Sequence, residues 1–116
     1  MPYMLLIVEP AGQREERGLE QGQAVYQRML EFTDELRAPG VLMTSSALAT
    51  AASRLRKPEG NTASVIDGPF AEAKELVGGF FLLGVETRAE ALHWAARCPA
   101  AAWATVEVRE TGPCYT

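Results

Sequence analysis

The sequence predicts an α+β fold, in which one antiparallel sheet carries two helices on one face. Residues 19–37 repeat apolar side chains with helical spacing, residues 76–85 form the most apolar run of the chain, and residues 103–109 alternate strictly. The chain has 116 residues, of which 47% are hydrophobic and 22% are charged. This length and composition fit a single domain over residues 1–116.

The first part of the chain predicts a strand, a helix and a second strand. Residues 2–9 form an apolar run of strand length, and the polar residues 10–18 predict a loop. A helix is predicted over residues 19–37, before Pro39-Gly40. Its apolar stripe consists of Val25, Met29, Phe32 and Leu36. Residues 41–48 predict the second strand.

A hairpin and a sharp turn follow. Residues 54–57 and 62–66 predict the two arms of the hairpin, with a turn at residues 58–61. Asp67-Gly68-Pro69 predicts the sharp turn, because glycine tolerates a positive φ and proline fixes its own φ. The next residues allow two structures. In a helical turn Glu72 and Glu75 share a face, whereas in an extended segment Glu72 and Lys74 do.

The second part of the chain repeats the pattern of strand, helix and strand. Residues 76–85 scarcely alternate and predict a strand covered on both faces, while Gly78-Gly79 indicates a bulge or the close approach of another backbone. Thr87 and Glu90 form a capping box that begins a helix, and Pro99 ends it. The residues predicted to face inward from this helix are Ala91, Leu92, Ala95 and Ala96.

The last strand completes the sheet and leaves one of its faces open. In residues 103–109, Ala104, Val106 and Val108 face one side, and Trp103, Thr105, Glu107 and Arg109 face the other. The element order is that of a ferredoxin-like (split βαβ) protomer with both helices on one face. The apolar central strand and Trp103 then need a second cover. A second copy of the sheet, packed face to face, supplies it, so we expect a homodimer that forms an α/β barrel.

Composition argues against several classes of function. The net charge is −4 and residues 54–57 form the only basic cluster, so no nucleic-acid partner is expected. The spacing of Cys98 and Cys114 and the scattered acidic residues predict no metal and no cofactor. The apolar residues 4–8 are too few for a membrane span and follow no basic region. We therefore expect a cytoplasmic protein with free thiols and without a signal peptide.

The segment Asp67–Glu75, followed by Gly78-Gly79-Phe80-Phe81, resembles the DGPF-domain proteins of the YCII-related family. Residues 3–7, 32–37, 40–42, 90–96 and 106–109 match as well, so the resemblance covers nearly the whole chain. It implies a dimeric barrel of ferredoxin-like protomers with an active-site cleft near Asp67. Some relatives are suspected enzymes that pair a histidine with an aspartate, and others are fused to or encoded beside extracytoplasmic-function sigma factors. Here the only histidine is His93, on the solvent face of the second helix, which argues against histidine-based catalysis.

Asp67 is the candidate catalytic residue. It acts either as a general base, with a pKa raised by burial beside Phe70, or as a turn residue that bonds local amides. The candidate binding residues are Phe70, Glu72, Lys74, Glu75, Trp103 and Arg109. The charged members either line a pocket, where Lys74 holds an anion, or form ion pairs at the surface. The two aromatic members line a ligand cavity or belong to an interface core.

Two functions therefore remain open. The first is a small-molecule-binding protein or enzyme that uses a cleft around Asp67-Gly68-Pro69-Phe70. The second is a non-catalytic regulatory module, with a sigma factor as the partner that the resemblance suggests. A pocket that contains Asp67 favours the first function, and an Asp67 that bonds only its own turn favours the second.

Overall fold

The computed structural model of the protein describes residues 1–115. In chain order its elements are β1 (Tyr3–Pro10), α1 (Gln13–Arg17), α2 (Leu19–Arg37), β2 (Leu42–Ala47), β3 (Ser53–Arg56), β4 (Ser64–Asp67), β5 (Glu75–Leu83), α3 (Arg88–Arg97), a 3₁₀ turn (Pro99–Ala102) and β6 (Thr105–Glu110). Four strands pair antiparallel in the order β2-β5-β1-β6, and β3 pairs with β4 in a separate hairpin. This arrangement confirms the α+β class and is consistent with a ferredoxin-like protomer.

The core lies on one face of the four-stranded sheet. Alternate residues of a strand face the same side, and on this side β1 and β5 bury Tyr3, Leu5, Ile7, Phe81 and Leu83. The helices α2 and α3 pack on these side chains with Phe32, Leu36, Ala91 and Ala95. The rings of Phe32 and Phe81 meet edge to face with their centroids 5.2 Å apart. The predicted helix-covered face is therefore confirmed.

The long helix α2 packs tightly on the sheet only in its C-terminal half. Its bounds are those that the apolar stripe predicted, and Phe32 and Leu36 are fully buried. In the N-terminal half, Leu19 and Tyr26 are 78% and 53% exposed. Since Val25 and Met29 are only half-buried there, a cavity remains beneath this part of the helix.

The shorter helix α3 begins with the predicted cap. The Thr87 hydroxyl accepts a hydrogen bond from the Glu90 backbone N–H at 3.1 Å. Of the four residues predicted to face inward, Ala91 and Ala95 are buried, whereas Leu92 and Ala96 are exposed. The prediction for Leu92 and Ala96 is wrong because the buried stripe of this helix follows the i, i+4 line of the two alanines alone.

The second face of the sheet carries an apolar band. Its centre is formed by Met4, Leu6 and Val8 of β1 and by Phe80 and Leu82 of β5, all of which are half-buried. On β6, Thr105, Glu107 and Arg109 share this face, because they pair with Val8, Leu6 and Met4. The protomer thus leaves an apolar strip partly open to solvent, and the second cover that the apolar run predicted is not supplied by the protomer itself.

Two predicted features differ from the structure. Residues 13–17 form α1, although the sequence predicted a loop over residues 10–18. Trp103 does not extend the alternation of β6 onto the open face, because the strand begins at Thr105 and the Trp103 backbone N–H bonds the Ala100 carbonyl at 3.0 Å. The indole packs instead against the core on the helix side.

Candidate functional site

The end of β1 holds a largely buried ion pair between Glu9 and Arg14. The Arg14 guanidinium donates from Nη2 to Glu9 Oε1 at 2.7 Å and from Nε to Oε2 at 3.0 Å. It also donates to the backbone carbonyls of Leu48, at 2.8 Å, and Gly78, at 3.2 Å. The Glu9 side chain is only 8% exposed, and a carboxylate this buried requires such partners. The pair therefore attaches α1 to β1, to β5 and to the loop after β2.

The glycine pair at the start of β5 makes room for this contact. The register between β1 and β5 shifts at Ile7/Val8, which leaves Gly78 as the extra residue of a bulge. A Cβ atom on Gly78 would overlap Oε1 of Glu9 and lie 2.8 Å from Nη2 of Arg14. A Cβ atom on Gly79 would lie 2.9 Å from the Ser46 carbonyl oxygen of the neighbouring strand. The predicted bulge and close approach are both present, and the approaching groups are Glu9 and β2.

A first cavity, of about 750 Å³, lies beneath the N-terminal half of α2, and we refer to it as the helix-side cavity. The helix α2 forms its roof with Gly22, Val25, Tyr26 and Met29. Its other walls include Ile7, Glu9, Arg14, Ala47, Leu48 and Trp103. Gln13 of α1 donates a hydrogen bond to the Trp103 carbonyl at 2.7 Å, so the short helix and the indole lie together at one end.

A second cavity, of about 820 Å³, lies between the hairpin, the segment before β5 and the strand ends, and we refer to it as the hairpin-side cavity. Gly68, Pro69 and Phe70 form one wall. Further apolar lining comes from Val8, Ala52, Ala73, Leu76 and Val77. The charged side chains of the lining are Glu15, Arg54 and Glu75. Both volumes fall within the range of about 300–1,000 Å³ that is typical of small-molecule sites.

The segment between β4 and β5 is neither the helical turn nor the extended run that its sequence allowed. A turn closes between the Phe70 carbonyl and the Ala73 N–H at 3.0 Å, and the Gly68 N–H donates to the Ala52 carbonyl at 2.7 Å. Gly68 does not adopt the positive φ that its type permits. A Cβ atom on Gly68 would lie 3.1 Å from the Phe70 ring, so glycine allows the ring to fold back over the turn.

Asp67 lies beside this wall but outside the lining of the hairpin-side cavity. It is the last residue of β4, opposite Ser53 of β3, and its Oδ1 accepts a hydrogen bond from the Ser53 hydroxyl. The residue is exposed, so the alternative of a carboxylate buried beside Phe70 does not hold in the protomer. Asp67 also meets neither criterion for the two functions, because it lines neither cavity and its side chain bonds the neighbouring strand rather than its own turn.

Phe70 and Glu72 both contact Arg54, a member of the basic cluster at residues 54–57. The guanidinium carbon of Arg54 lies 3.6 Å from the centre of the Phe70 ring, within the range of a cation–π contact. Arg54 Nη1 lies 2.8 Å from Glu72 Oε1. The backbone N–H of Glu72 itself and the Arg54 guanidinium hold the pKa of the Glu72 carboxyl below its usual value.

The remaining candidate binding residues are dispersed. Glu75 lines the hairpin-side cavity, whereas the Lys74 side chain is exposed and its carbonyl accepts from the Ala11 N–H at 2.9 Å. Trp103 lines the helix-side cavity, on the other side of β1. Arg109 lies on the open face of the sheet, opposite Met4. The structure thus places Phe70 and Glu75 in the lining of one cavity and Glu72 on the Arg54 of that lining, and it separates Lys74, Trp103 and Arg109 from them.

Two residues of the described chain have environments that bear on other chemistry. His93 is exposed, as predicted, and packs against the Trp94 ring at a centroid distance of 5.3 Å. Cys98 is buried, and this burial raises the pKa of its thiol.

Among residues 1–115, no three His, Cys, Asp or Glu side chains lie close enough together to hold a metal ion. Over the same residues, every helix is too short or too polar to cross a membrane.

Comparison with models of known protein families gives a match over nearly the whole chain. The model of the YCII-related domain matches residues 1–113, nearly the whole chain. No curated protein matches the sequence. The match includes both cavities and the hairpin between β2 and β5.

Proposed function

Since the chain belongs to the YCII-related family, we propose that it is a small-molecule-binding protein whose site is the hairpin-side cavity. The observation that carries this proposal is the position of the Asp67–Phe70 segment, of which Gly68, Pro69 and Phe70 form a wall of a cavity of about 820 Å³. The most distinctive segment of the sequence is therefore a wall of a space that can hold a ligand.

The lining suggests the class of ligand. Alanine, leucine and valine side chains together with the Phe70 ring form an apolar surface, and Arg54 supplies a cation at its edge. Arg54 is paired with Glu72, but both side chains are more than half exposed, at 52% and 73%. Exposed ion pairs contribute little free energy, so a ligand carboxylate can replace Glu72 as the partner of Arg54. A small organic acid with an apolar body fits these features.

Thermal-shift screening against small aliphatic and aromatic carboxylic acids tests the proposal. A ligand that binds only the folded protein stabilises it by about 2.7 kcal/mol at 100 times its Kd. Phe70→Ala and Arg54→Gln should each reduce the shift, whereas Arg56→Gln, on the same arm of the hairpin but outside the cavity lining, should leave it unchanged. A shift that is equal in all four proteins would place the ligand elsewhere.

Substitution of Asp67 tests whether the protein is an enzyme or only binds its ligand. The Asp67→Asn variant keeps an oxygen that can accept from Ser53 but removes a carboxylate that could act as a base. If Asp67 is the general base of a reaction, this variant should bind the ligand found by screening but no longer convert it, as followed by NMR of the ligand. If wild type and variant both leave the ligand intact, the protein is a binding protein for that compound.

We further propose that the protein is a homodimer in which two open sheet faces pack together. The half-buried band at Met4, Leu6, Val8, Phe80 and Leu82 supports this, because an apolar strip of this kind is stabilised when a second copy covers it. Light scattering at micromolar concentration should give the mass of a dimer. Leu6→Glu should give a monomer, while Leu92→Glu, on the outer side of α3, should remain a dimer. A monomeric wild type would contradict the proposal.

The hairpin favours a second candidate function, that of a non-catalytic module that contacts another protein. Leu55, Val65 and Ile66 are 58–60% exposed, which is unusual for apolar side chains of one short hairpin. A sigma factor is the partner that the family resemblance suggests. Capture from lysate by the wild type, but not by Ile66→Asp, of a sigma factor identified by mass spectrometry would support this function. Recovery of the protein alone would count against it.

A further inference from the structure

The helix-side cavity has a feature that packing alone does not explain, a glycine in the interior of its roof. Gly22 lies in the second turn of the 19-residue helix α2, where glycine is the poorest helix former apart from proline. Its φ is not positive, and a Cβ atom there would meet nothing within 4 Å. Neither backbone conformation nor crowding therefore requires glycine at this position. Its effect is to leave the cavity unfilled, beneath a half-helix whose apolar residues are not packed on the sheet.

One end of this cavity carries an aromatic ring beside two cations. The guanidinium carbons of Arg17 and Arg28 lie 5.7 Å and 5.2 Å from the centre of the Trp103 ring, a distance at which each cation is attracted by the indole. Neither arginine takes part in any of the four ion pairs of residues 1–115. Two positive charges next to one apolar surface, with no carboxylate bound to either, form an environment that favours an anion.

The charges of the other lining residues leave this preference in place. Arg14 is neutralised by Glu9, with which it forms two hydrogen bonds. Glu15 also lines the cavity but is exposed to solvent, where its repulsion is screened. The lining itself carries two acids, Glu9 and Glu15, and two arginines, Arg14 and Arg17, while Arg28 adds a further cation beside the Trp103 ring, outside the lining. The unpaired positive charge is therefore concentrated at the Trp103 end of the cavity.

We propose that the helix-side cavity is a second ligand site, which takes a carboxylic acid with an apolar, aromatic or aliphatic body. The carboxylate binds Arg17 and Arg28 at the Trp103 end, and the apolar body lies under Gly22 against Val25 and Met29. This site is separate from the hairpin-side cavity, with which it shares only Glu15 and Ala49 as lining residues. Binding at each of the two sites can therefore be tested without altering the other.

Isothermal titration calorimetry with 2-naphthoate, and with the uncharged 2-naphthalenemethanol as the matched probe, tests the proposal. Gly22→Phe places a ring in the cavity at a position where any residue but proline favours the helix more than glycine does, so the variant should fold and should lose naphthoate binding by at least about tenfold. Arg17→Gln and Arg28→Gln should each weaken naphthoate binding by about threefold to tenfold, since each removes one charge-assisted contact, and should leave binding of the alcohol unchanged.

Arg37→Gln is the control, because Arg37 is an exposed arginine of the same helix that pairs with Asp34. It should bind naphthoate as the wild type does, and so should Phe70→Ala, which alters only the hairpin-side cavity. The proposal is overturned if the wild type does not bind naphthoate at millimolar concentration. It is also overturned if Gly22→Phe folds and binds as the wild type does, or if binding is abolished by Phe70→Ala rather than by the variants at Gly22, Arg17 and Arg28. The arginine variants decide the question if Gly22→Phe does not fold.

Discussion

Replacing Arg14 with methionine should destabilise the protein more than any other substitution of a charged residue on α1 or α2. Methionine keeps the apolar stem but removes both hydrogen bonds to Glu9, at 2.7 and 3.0 Å, and those to the Leu48 and Gly78 carbonyls. The Glu9 side chain, 8% exposed, is then a buried carboxylate without its partner. Removing one member of a fully buried pair costs about 3–5 kcal/mol. Because the Arg14 side chain is 35% exposed, water can replace part of the interaction, and we expect a loss of about 2–4 kcal/mol.

Urea unfolding followed by far-UV circular dichroism measures this loss, and thermal unfolding should show a melting temperature lower by about 6–15 °C. Arg37→Met is the matched control, since its ion pair with Asp34 is exposed at both side chains. That variant should change the free energy of unfolding by less than about 0.5 kcal/mol.

The double variant Glu9→Leu/Arg14→Met separates the loss of the pair from the loss of packing. It strands no charge, so its destabilisation should be smaller than the sum of the two single variants by about 1–3 kcal/mol. Strict additivity, or an Arg14→Met protein as stable as the Arg37→Met protein, would refute the view that this ion pair holds α1 on the sheet.

Three further predictions concern single features. Thr87→Ala removes the acceptor of the 3.1 Å bond from the Glu90 N–H and should lower the free energy of unfolding by about 1 kcal/mol in urea titrations; no change would mean that the cap contributes nothing. In the folded protein, 5,5′-dithiobis-(2-nitrobenzoate) should label Cys114 rapidly and Cys98 only upon unfolding, because Cys98 is buried and its pKa is raised; equal labelling rates would contradict this. The lowered pKa of the Glu72 carboxyl means that its ion pair with Arg54 forms above that pKa and is lost as the pH falls through it. Arg54→Gln should therefore raise the NMR titration midpoint of Glu72 toward its usual value. An unchanged midpoint would show that Arg54 does not contribute to the lowered pKa.

Local patterns in the sequence were sufficient to predict most of the fold. The bounds of α2 follow from a helical stripe that ends at Pro39-Gly40, and the glycine pair at 78–79 correctly indicated a bulge. The helix α1 was missed because its five residues bury no apolar side chain. It depends instead on contacts of Arg14 with Glu9, Leu48 and Gly78, of which the last two are 34 and 64 positions away. No local pattern reports contacts at that separation.

The candidate site was predictable only in part, because some of its contacts also join residues that are far apart in the sequence. The segment around Phe70 was recognisable from its own residues, and it does form a cavity wall. The partner that completes this wall, Arg54, lies on another strand, and the sequence showed it only as a member of the basic cluster at residues 54–57, without indicating its contact with Phe70. Trp103 was assigned to the wrong face because the alternating pattern of the sequence begins at Trp103, whereas this residue ends the 3₁₀ turn and the strand begins only at Thr105. Gly22, in contrast, is visible in the sequence as a glycine inside a predicted helix, and it could have indicated the helix-side cavity.

Chemical-shift mapping is the most direct test of whether the hairpin-side cavity binds a small molecule. Wild-type protein labelled with ¹⁵N is titrated with the carboxylic acid that gives the largest thermal shift, and backbone amide shifts are followed. We expect the largest changes at residues of the cavity wall, namely Ala52, Gly68, Phe70 and Val77, and we expect these changes to disappear in Phe70→Ala. Shifts confined to residues outside this cavity, those of the helix-side cavity included, and unaltered by Phe70→Ala, would contradict it.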